Sequence, residues 1–290
     1  MIYRVRHEST LSYLTPIEDA RLTVRLRPVQ WKGQKLLRQK LSFMPAPADV
    51  RESDGPYLVR TTGVQFHEPL RRLAVLSEFE MDVAAPPDPG PGMPVAQVRD
   101  AALTSRDLTA MSPAPYLFGS RIAGMRDEIG LWADPLVAGG DGIVDAARAV
   151  NSAVHRRFAY RPGMTSSDTD PLDAFRSRHG VCQDFAHVMI VALRSQGIPA
   201  AYVSGYLRTL PPPGQAKLVG ADAMHAWVAV WAGEEAGWIG IDPTNDCLAG
   251  DSHIVIGMGR DFADVSPVNG VFVGNAPQTM KVAVDVAEIS

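Results

Sequence analysis

Three residues in the second half of the chain, Cys182, His225 and Asp242, carry side chains that together can run nucleophilic catalysis. A thiolate attacks a carbonyl carbon, an imidazole moves the proton, and a carboxylate holds the imidazole in one tautomer. The sequence around the cysteine supports the first role. Between Phe185 and Leu193 the only polar side chain is His187, which predicts a helix apolar on nearly every face and therefore buried all round. Gly197 supplies a C-terminal stop for it and Pro199 bars continuation. Cys182 then falls in the first turn, where unpaired backbone N–H groups and the positive end of the helix dipole favour thiolate over thiol.

The other two residues sit on a predicted β-hairpin. Residues 225–231 and 237–242 flank Ala232-Gly233-Glu234-Glu235-Ala236 and read as two strands. A turn centred on Gly233-Glu234 predicts Trp231 opposite Ala236, Ala229 opposite Trp238, Trp227 opposite Gly240 and His225 opposite Asp242. Directly opposed residues share a face, and the other face then holds Val228, Val230, Ile239 and Ile241. The pattern thus predicts an imidazole beside a carboxylate at the open end of the hairpin. Cys182 reads as nucleophile, His225 as general base and then general acid, and Asp242 as the group that orients the imidazole.

These stretches resemble the transglutaminase-like superfamily, in its bacterial subgroup with an extra N-terminal domain. The resemblance rests on GVCQDFAH around Cys182, GIPAAYVSGY after it, MHAWVAVW around His225 and GWIGIDPTN around Asp242. The start, YRVRHESTLSY, and the tail, GRDFADVSPVNGVFVG, are also similar to this subgroup. The family's Cys, His and Asp map onto Cys182, His225 and Asp242 without a departure. The resemblance implies an α+β fold, with a papain/transglutaminase-like core that buries the cysteine helix against an antiparallel sheet bearing His and Asp. It also implies acyl transfer through a thioester, with hydrolysis of a peptide, isopeptide or carboxamide bond as the expectation and amine transfer to a protein glutamine, or a non-catalytic peptide-binding module of the same fold, as the alternatives. Related enzymes add an oxyanion donor to the cysteine's own N–H, and Tyr160 or Gln183 is placed to fill that role. Trp227, on the predicted face of His225, is a candidate for lining an acyl-substrate groove. Trp231 and Trp238 are expected to pack the sheet.

Composition narrows the rest. The chain has 290 residues, 46% apolar and 21% charged, with a formal net charge of −4, which argues against nucleic acid as the main partner. No run approaches the apolar length of a membrane span, and MIYRVRHEST lacks the core of a signal peptide. A cytoplasmic location and a peptide or protein substrate are the expectations. Cys182 and Cys247 are read as two free thiols, since a bridge would cap the nucleophile. His179, Cys182, His187 and Cys247 match no zinc spacing, so neither metal nor cofactor is expected. Asp184 reads as a carboxylate stabilising the helix N-terminus. His7, His67, His155 and His253 show no partner pattern and read as surface or turn residues.

Stepping outward, residues 1–85 predict an N-terminal all-β domain of short strands punctuated by Pro16, Pro28, Pro45, Pro47 and Pro56. A Pro-rich linker at 86–96 follows, then a helical connection at 97–140 with a break at Met111-Ser112-Pro113-Ala114-Pro115. The core is expected over 141–250. Its first helix carries Ile143, Ala147, Val150 and Val154 on one face and has Asp141 available as N-cap. Residues 251–290 are expected to add strands completing a sheet, with GRDFADVSP as a surface loop walling the cleft.

Overall fold

Alternation with period two organises the first third of the chain. In β1 (Ile2–Arg27), Tyr3, Val5, His7, Ser9, Leu11 and Tyr13 point inward while their neighbours face out. The computed structural model describes residues 1–139, 142–209 and 222–289. The sequence predicts two short strands at the start, yet β1 runs unbroken through Pro16. The proline is tolerated because pairing with β5 shifts between Ser12 and Ile17, so its missing N–H falls where the ladder is interrupted. The strands β2 (Gln34–Met44), β3 (Asp49–Asp54), β4 (Arg60–Phe66) and β5 (Leu70–Val83) join β1 in the order β2-β5-β1-β4-β3.

After the proline-rich stretch, α1 (Val95–Thr104), α2 (Asp127–Ala138) and α3 (Ile143–Arg157) form a helical layer. Ile143, Ala147, Val150 and Val154 are all buried, as their spacing predicts. Asp141 lies outside the described residues, and Gly142 occupies the N-cap position. Two short parallel strands follow, β6 (Ala159–Tyr160) and β7 (His179–Gly180), with α4 (Pro171–Ser177) between them. Asp170 caps α4 by accepting from the Leu172 N–H at 2.8 Å.

The central helix α5 (Cys182–Ser195) is buried at every position from Asp184 to Arg194. It ends in a Schellman arrangement: Gly197 at φ +71° donates to the Arg194 carbonyl, and Ile198 donates to that of Leu193. α5 packs on one face of an antiparallel sheet of order β11-β10-β9-β8-β12. Its strands are β8 (Ala200–Leu207), β9 (Met224–Trp231), β10 (Trp238–Asp242), β11 (Cys247–Leu248) and β12 (His253–Gly259). The other face, through Ala201, Val203, Trp227, Ala229 and Val255, shares a cluster with Val29 and Tyr116, while Tyr206, Ile254 and Ile256 share one with Tyr3, Val5 and Phe79 of the N-terminal sheet. The N-terminal strands thus meet the core sheet at β8 and β12.

The tail divides. β12 pairs with β8, whereas β13 (Val268–Val273) and β14 (Gln278–Glu288) return to pair with β1. Between them, the expected surface loop is instead a tied segment holding α6 (Phe262–Val265). Asp261 is buried and accepts from the Ile122 N–H at 2.7 Å and the Ala263 N–H at 2.8 Å. Buried Arg194 donates to the Arg260 carbonyl at 2.6 Å. A charged pattern reads as exposed until partners elsewhere in the chain are known, and Ile122 and Arg194 lie more than sixty residues away.

Candidate active site

Cys182 occupies the first turn of α5, after Val181 in extended conformation. The entry is fixed by Asp184, whose carboxylate accepts from the Val181 N–H and the Thr165 hydroxyl, both at 2.7 Å. That is the expected helix-start role. Burial, the largest influence, raises the Asp184 carboxyl above its ordinary value against these hydrogen bonds.

The hairpin departs from its expected register by two residues. Trp238 pairs with Trp231, Ile239 with Val230, Gly240 with Ala229 and Ile241 with Val228. The turn is longer than expected: the Ala232 N–H bonds the Gly237 carbonyl, and both Gly233 and Gly237 adopt positive φ. A shift of two preserves which side chains share a face, and it sets the four valines and isoleucines directly opposite one another. His225 and Asp242 thus stay on a common face, diagonal rather than opposed. The contact survives, with Nε2 2.8 Å from Asp242 Oδ2.

Asp242 is fully buried and surrounded by donors. Oδ1 accepts from the N–H groups of Thr244 (2.9 Å) and Asn245 (3.3 Å). Oδ2 accepts from His225, from Asn245 Nδ2 (2.6 Å) and from His253 Nε2 (3.2 Å). Burial opposes ionisation most strongly, but the two histidines and Asn245 prevail and hold the carboxyl well below the usual range. An ionised carboxylate only accepts, so His225 carries a proton on Nε2 and turns Nδ1 toward other partners. Burial acts most strongly on His225 too, downward, yet hydrogen bonds to Asp242 and Cys182 and their charges raise it to about 9.

Of the remaining candidates, Tyr160 stands close enough to Cys182 to feel its charge. Pairing of Tyr160 with Gly180 across β6 and β7 sets it beside the cysteine turn, 54% exposed. Its phenol is pushed up by burial first and then by the charges of Cys182 and Asp184. Gln183 instead donates its amide to the Ser167 carbonyl at 2.9 Å. Trp227 is fully buried, stacked along the His225 ring with centroids 5.9 Å apart, and it also lines a cavity of about 760 Å³ with Trp238, Gly240, Leu248 and His253.

Three residues emerge that sequence reasoning passed over. His253, read as a surface or turn residue, is buried against Asp242 and Trp227. His7, read likewise, is buried between Ser9 Oγ (2.8 Å) and the Tyr206 hydroxyl (2.9 Å). In each case a decisive partner, Asp242 or Tyr206, lies on another element, and no spacing rule reveals it. Tyr202 was also missed; its alternation with Ala200 and Ser204 on β8 was the available signal. Its phenol is raised by burial and then by Cys182, Asp184 and Asp261.

Among the described residues, His225, Asp242 and His253 bring three possible ligand atoms within 4.8 Å of one another. The hydrogen bonding argues for protons rather than a metal there. His253 Nδ1 accepts from the Gly250 N–H at 3.1 Å, so its Nε2 bears the proton, and metal at that atom would demand an imidazolate.

A helix that begins at a cysteine, packed against an antiparallel sheet supplying histidine and aspartate, defines a papain-like α+β architecture. The chain belongs to the transglutaminase-like superfamily. The model of the transglutaminase-like superfamily matches residues 131–243, and that of the bacterial transglutaminase-like N-terminal region matches residues 3–82. An uncharacterised Mycobacterium tuberculosis protein, Rv2569c, is 35% identical over 292 residues, covering 98% of this chain and 92% of that protein. A protein-glutamine gamma-glutamyltransferase of Pseudomonas aeruginosa is 38% identical over 114 residues, 34% of this chain and 17% of that protein. The fold matches a candidate cysteine protease from Cytophaga hutchinsonii with TM-score 0.76 at 21% identity, over 100% of this chain and 92% of that one. No helix among the described residues is long and apolar enough to cross a membrane.

Proposed function

We propose that the protein is a cysteine-dependent acyl-transfer enzyme whose nucleophile, base and orienting group are Cys182, His225 and Asp242. The observation that carries this reading is an imidazole held by Asp242 at 2.8 Å and close enough to Cys182 to feel its charge. Sulfur attacks a peptide, isopeptide or carboxamide carbonyl, forming a C–S bond, while the α5 N-terminus and the Tyr160 hydroxyl favour the developing oxyanion. His225 gives its Nδ1 proton to the departing amine as the C–N bond breaks. Water then attacks the thioester, loses a proton to the same nitrogen and releases a carboxylic acid and the thiol.

Hydrolysis is the favoured outcome, with a peptide or protein as substrate and a reducing, cytoplasmic setting that keeps both cysteines free. Amine transfer to a protein glutamine is the second reading, supported by the Pseudomonas relative over its shared segment. Incubating a glutamine-bearing protein with dansylcadaverine separates them. Free carboxylate without dansyl incorporation supports hydrolysis, and incorporation supports amine transfer. Neither product, alongside peptide cleavage profiles identical in wild type and Cys182→Ala, would remove the acyl-transfer reading.

A further inference from the structure

His253 takes no part in the acyl transfer written above, yet it is built into the site. It lies at the start of β12, three strands from β10 in the core sheet. Its ring is nonetheless 6.3 Å from that of His225 and meets Trp227 edge-on at 5.2 Å. Gly205, on the intervening strand β8, makes this approach possible. A Cβ there would stand 2.1 Å from the Ile254 carbonyl oxygen and 2.5 Å from the Trp227 ring. The tautomer of His253 is dictated from behind: Nδ1 receives the Gly250 N–H, so the proton of the neutral ring sits on Nε2, 3.2 Å from Asp242 Oδ2.

We propose that His253 is a positioning residue: as a neutral Nε2–H donor it fixes the Asp242 carboxylate against His225, so that β12 as well as the hairpin sets the imidazole's orientation. This rests on the triad reading. The hairpin and its turn already supply Asn245 and two backbone N–H groups. His253 adds a donor from a different element on the oxygen that His225 uses. The titratable groups around this carboxylate are His225 on β9, Cys182 of α5 beyond that ring, His253 on β12 and Cys247 on β11. Asp246 turns toward Asn151 and Ser152 instead. With its orienting partner loosened, His225 is left to the effect of burial, which favours the neutral ring.

The test is the rate of iodoacetamide alkylation of Cys182 against pH in the full chain, followed by peptide mass spectrometry. The peptide readout separates Cys182 from Cys247, an exposed thiol pushed up to about 11 by partial burial and neighbouring carboxylates. In His253→Phe the neutral-pH rate is expected to fall about tenfold, the factor carried by one hydrogen bond to a charged group. The high-pH limb, near 9 in wild type, should move down. His253→Gln, which keeps an N–H donor, should restore both. A limb unmoved or raised in folded His253→Phe overturns the proposal, as does failure of folded His253→Gln to restore it. Should the Phe variant not fold, ¹⁵N spectra of wild-type imidazoles decide. The Nε2–H tautomer at His253 supports the proposal and Nδ1–H overturns it. A His225→Ala variant that alkylates like wild type would fell the triad itself; slowing there, without slowing in His253→Phe, would fell only the role of His253.

Discussion

Replacing Asp242 by Asn isolates the charge that the imidazole depends on. His225 stands at about 9 instead of 6.5 although burial, the strongest single influence, pushes it down. That step corresponds to roughly 3 kcal/mol of preference for the imidazolium. An amide keeps the shape and loses the charge, and it cannot satisfy the site in either orientation. With its oxygen toward His225, Asn245 Nδ2 and His253, its NH₂ faces the N–H groups of Thr244 and Asn245; flipped, it faces the three side-chain donors. The variant should therefore also lose about 1–3 kcal/mol of stability for the unpaired buried groups. Titration of the His225 ring by NMR should move from near 9 to below 6.5. Alkylation of Cys182 at neutral pH should slow by about a hundredfold, the factor equivalent to that preference. A His225 that still titrates near 9 in a cooperatively folded Asp242→Asn protein would refute the reasoning, because its proton would then owe nothing to the carboxylate.

Cys182→Ser should abolish turnover while shifting the thermal midpoint little, since the side chain lies at the helix mouth rather than in the packed run; calorimetry beside a peptide-cleavage assay checks both. Stability should peak between acid and alkaline losses of opposite origin. His7 and His187, held down to about 4 by burial, stay neutral in the native state while the unfolded chain protonates, so stability falls as pH drops from 6.5 toward 4. His225 has the reverse sign: its contribution is complete below 6.5 and lost as pH rises through about 9. Thermal melts across pH should show both limbs, and His225→Gln should flatten only the alkaline one. Gly205→Ala should cost about 1–3 kcal/mol or more by overpacking and slow Cys182 alkylation, because the new Cβ displaces Trp227 from the His225 ring. Deleting residues 1–85 should abolish cooperative folding, read as a lost melting transition, since it uncovers Tyr206, Ile254 and Ile256, each worth roughly 1.5–3 kcal/mol of burial.

The central helix was legible because apolarity on every face permits one environment, and because Gly197 and Pro199 leave it one place to stop. The hairpin's faces were legible for the same reason, since period two carries over under any even shift. Its register was not: the stretch 232–237 permits turns of several lengths, and only the positive φ at Gly233 and Gly237 selects the longer one. The unbroken β1 was hidden behind Pro16, whose missing N–H matters only relative to a partner strand that local sequence does not name. His253 and His7 were hidden more deeply. A buried histidine and an exposed one look alike in a sequence until the partner, here Asp242 or Tyr206, is known to be adjacent.

A carboxylate with no exposed surface is costly unless its lone pairs are answered, and Asp242 is answered by five donors drawn from β9, β12 and the turn after β10. The same arrangement that makes its ionisation tolerable also gives His225 its proton, so folding and proton transfer draw on one set of hydrogen bonds. Such networks respond non-additively, because the first donor removed leaves the carboxylate free to turn and weakens what the others supply. Removing Asn245 and His253 together should then cost less than the two losses combined, and the carboxylate's bond to His225 should already be compromised after either. An additive result would mean that Asp242 is held by its turn alone, and that the imidazole takes its bearing from two residues of the hairpin rather than from the whole sheet.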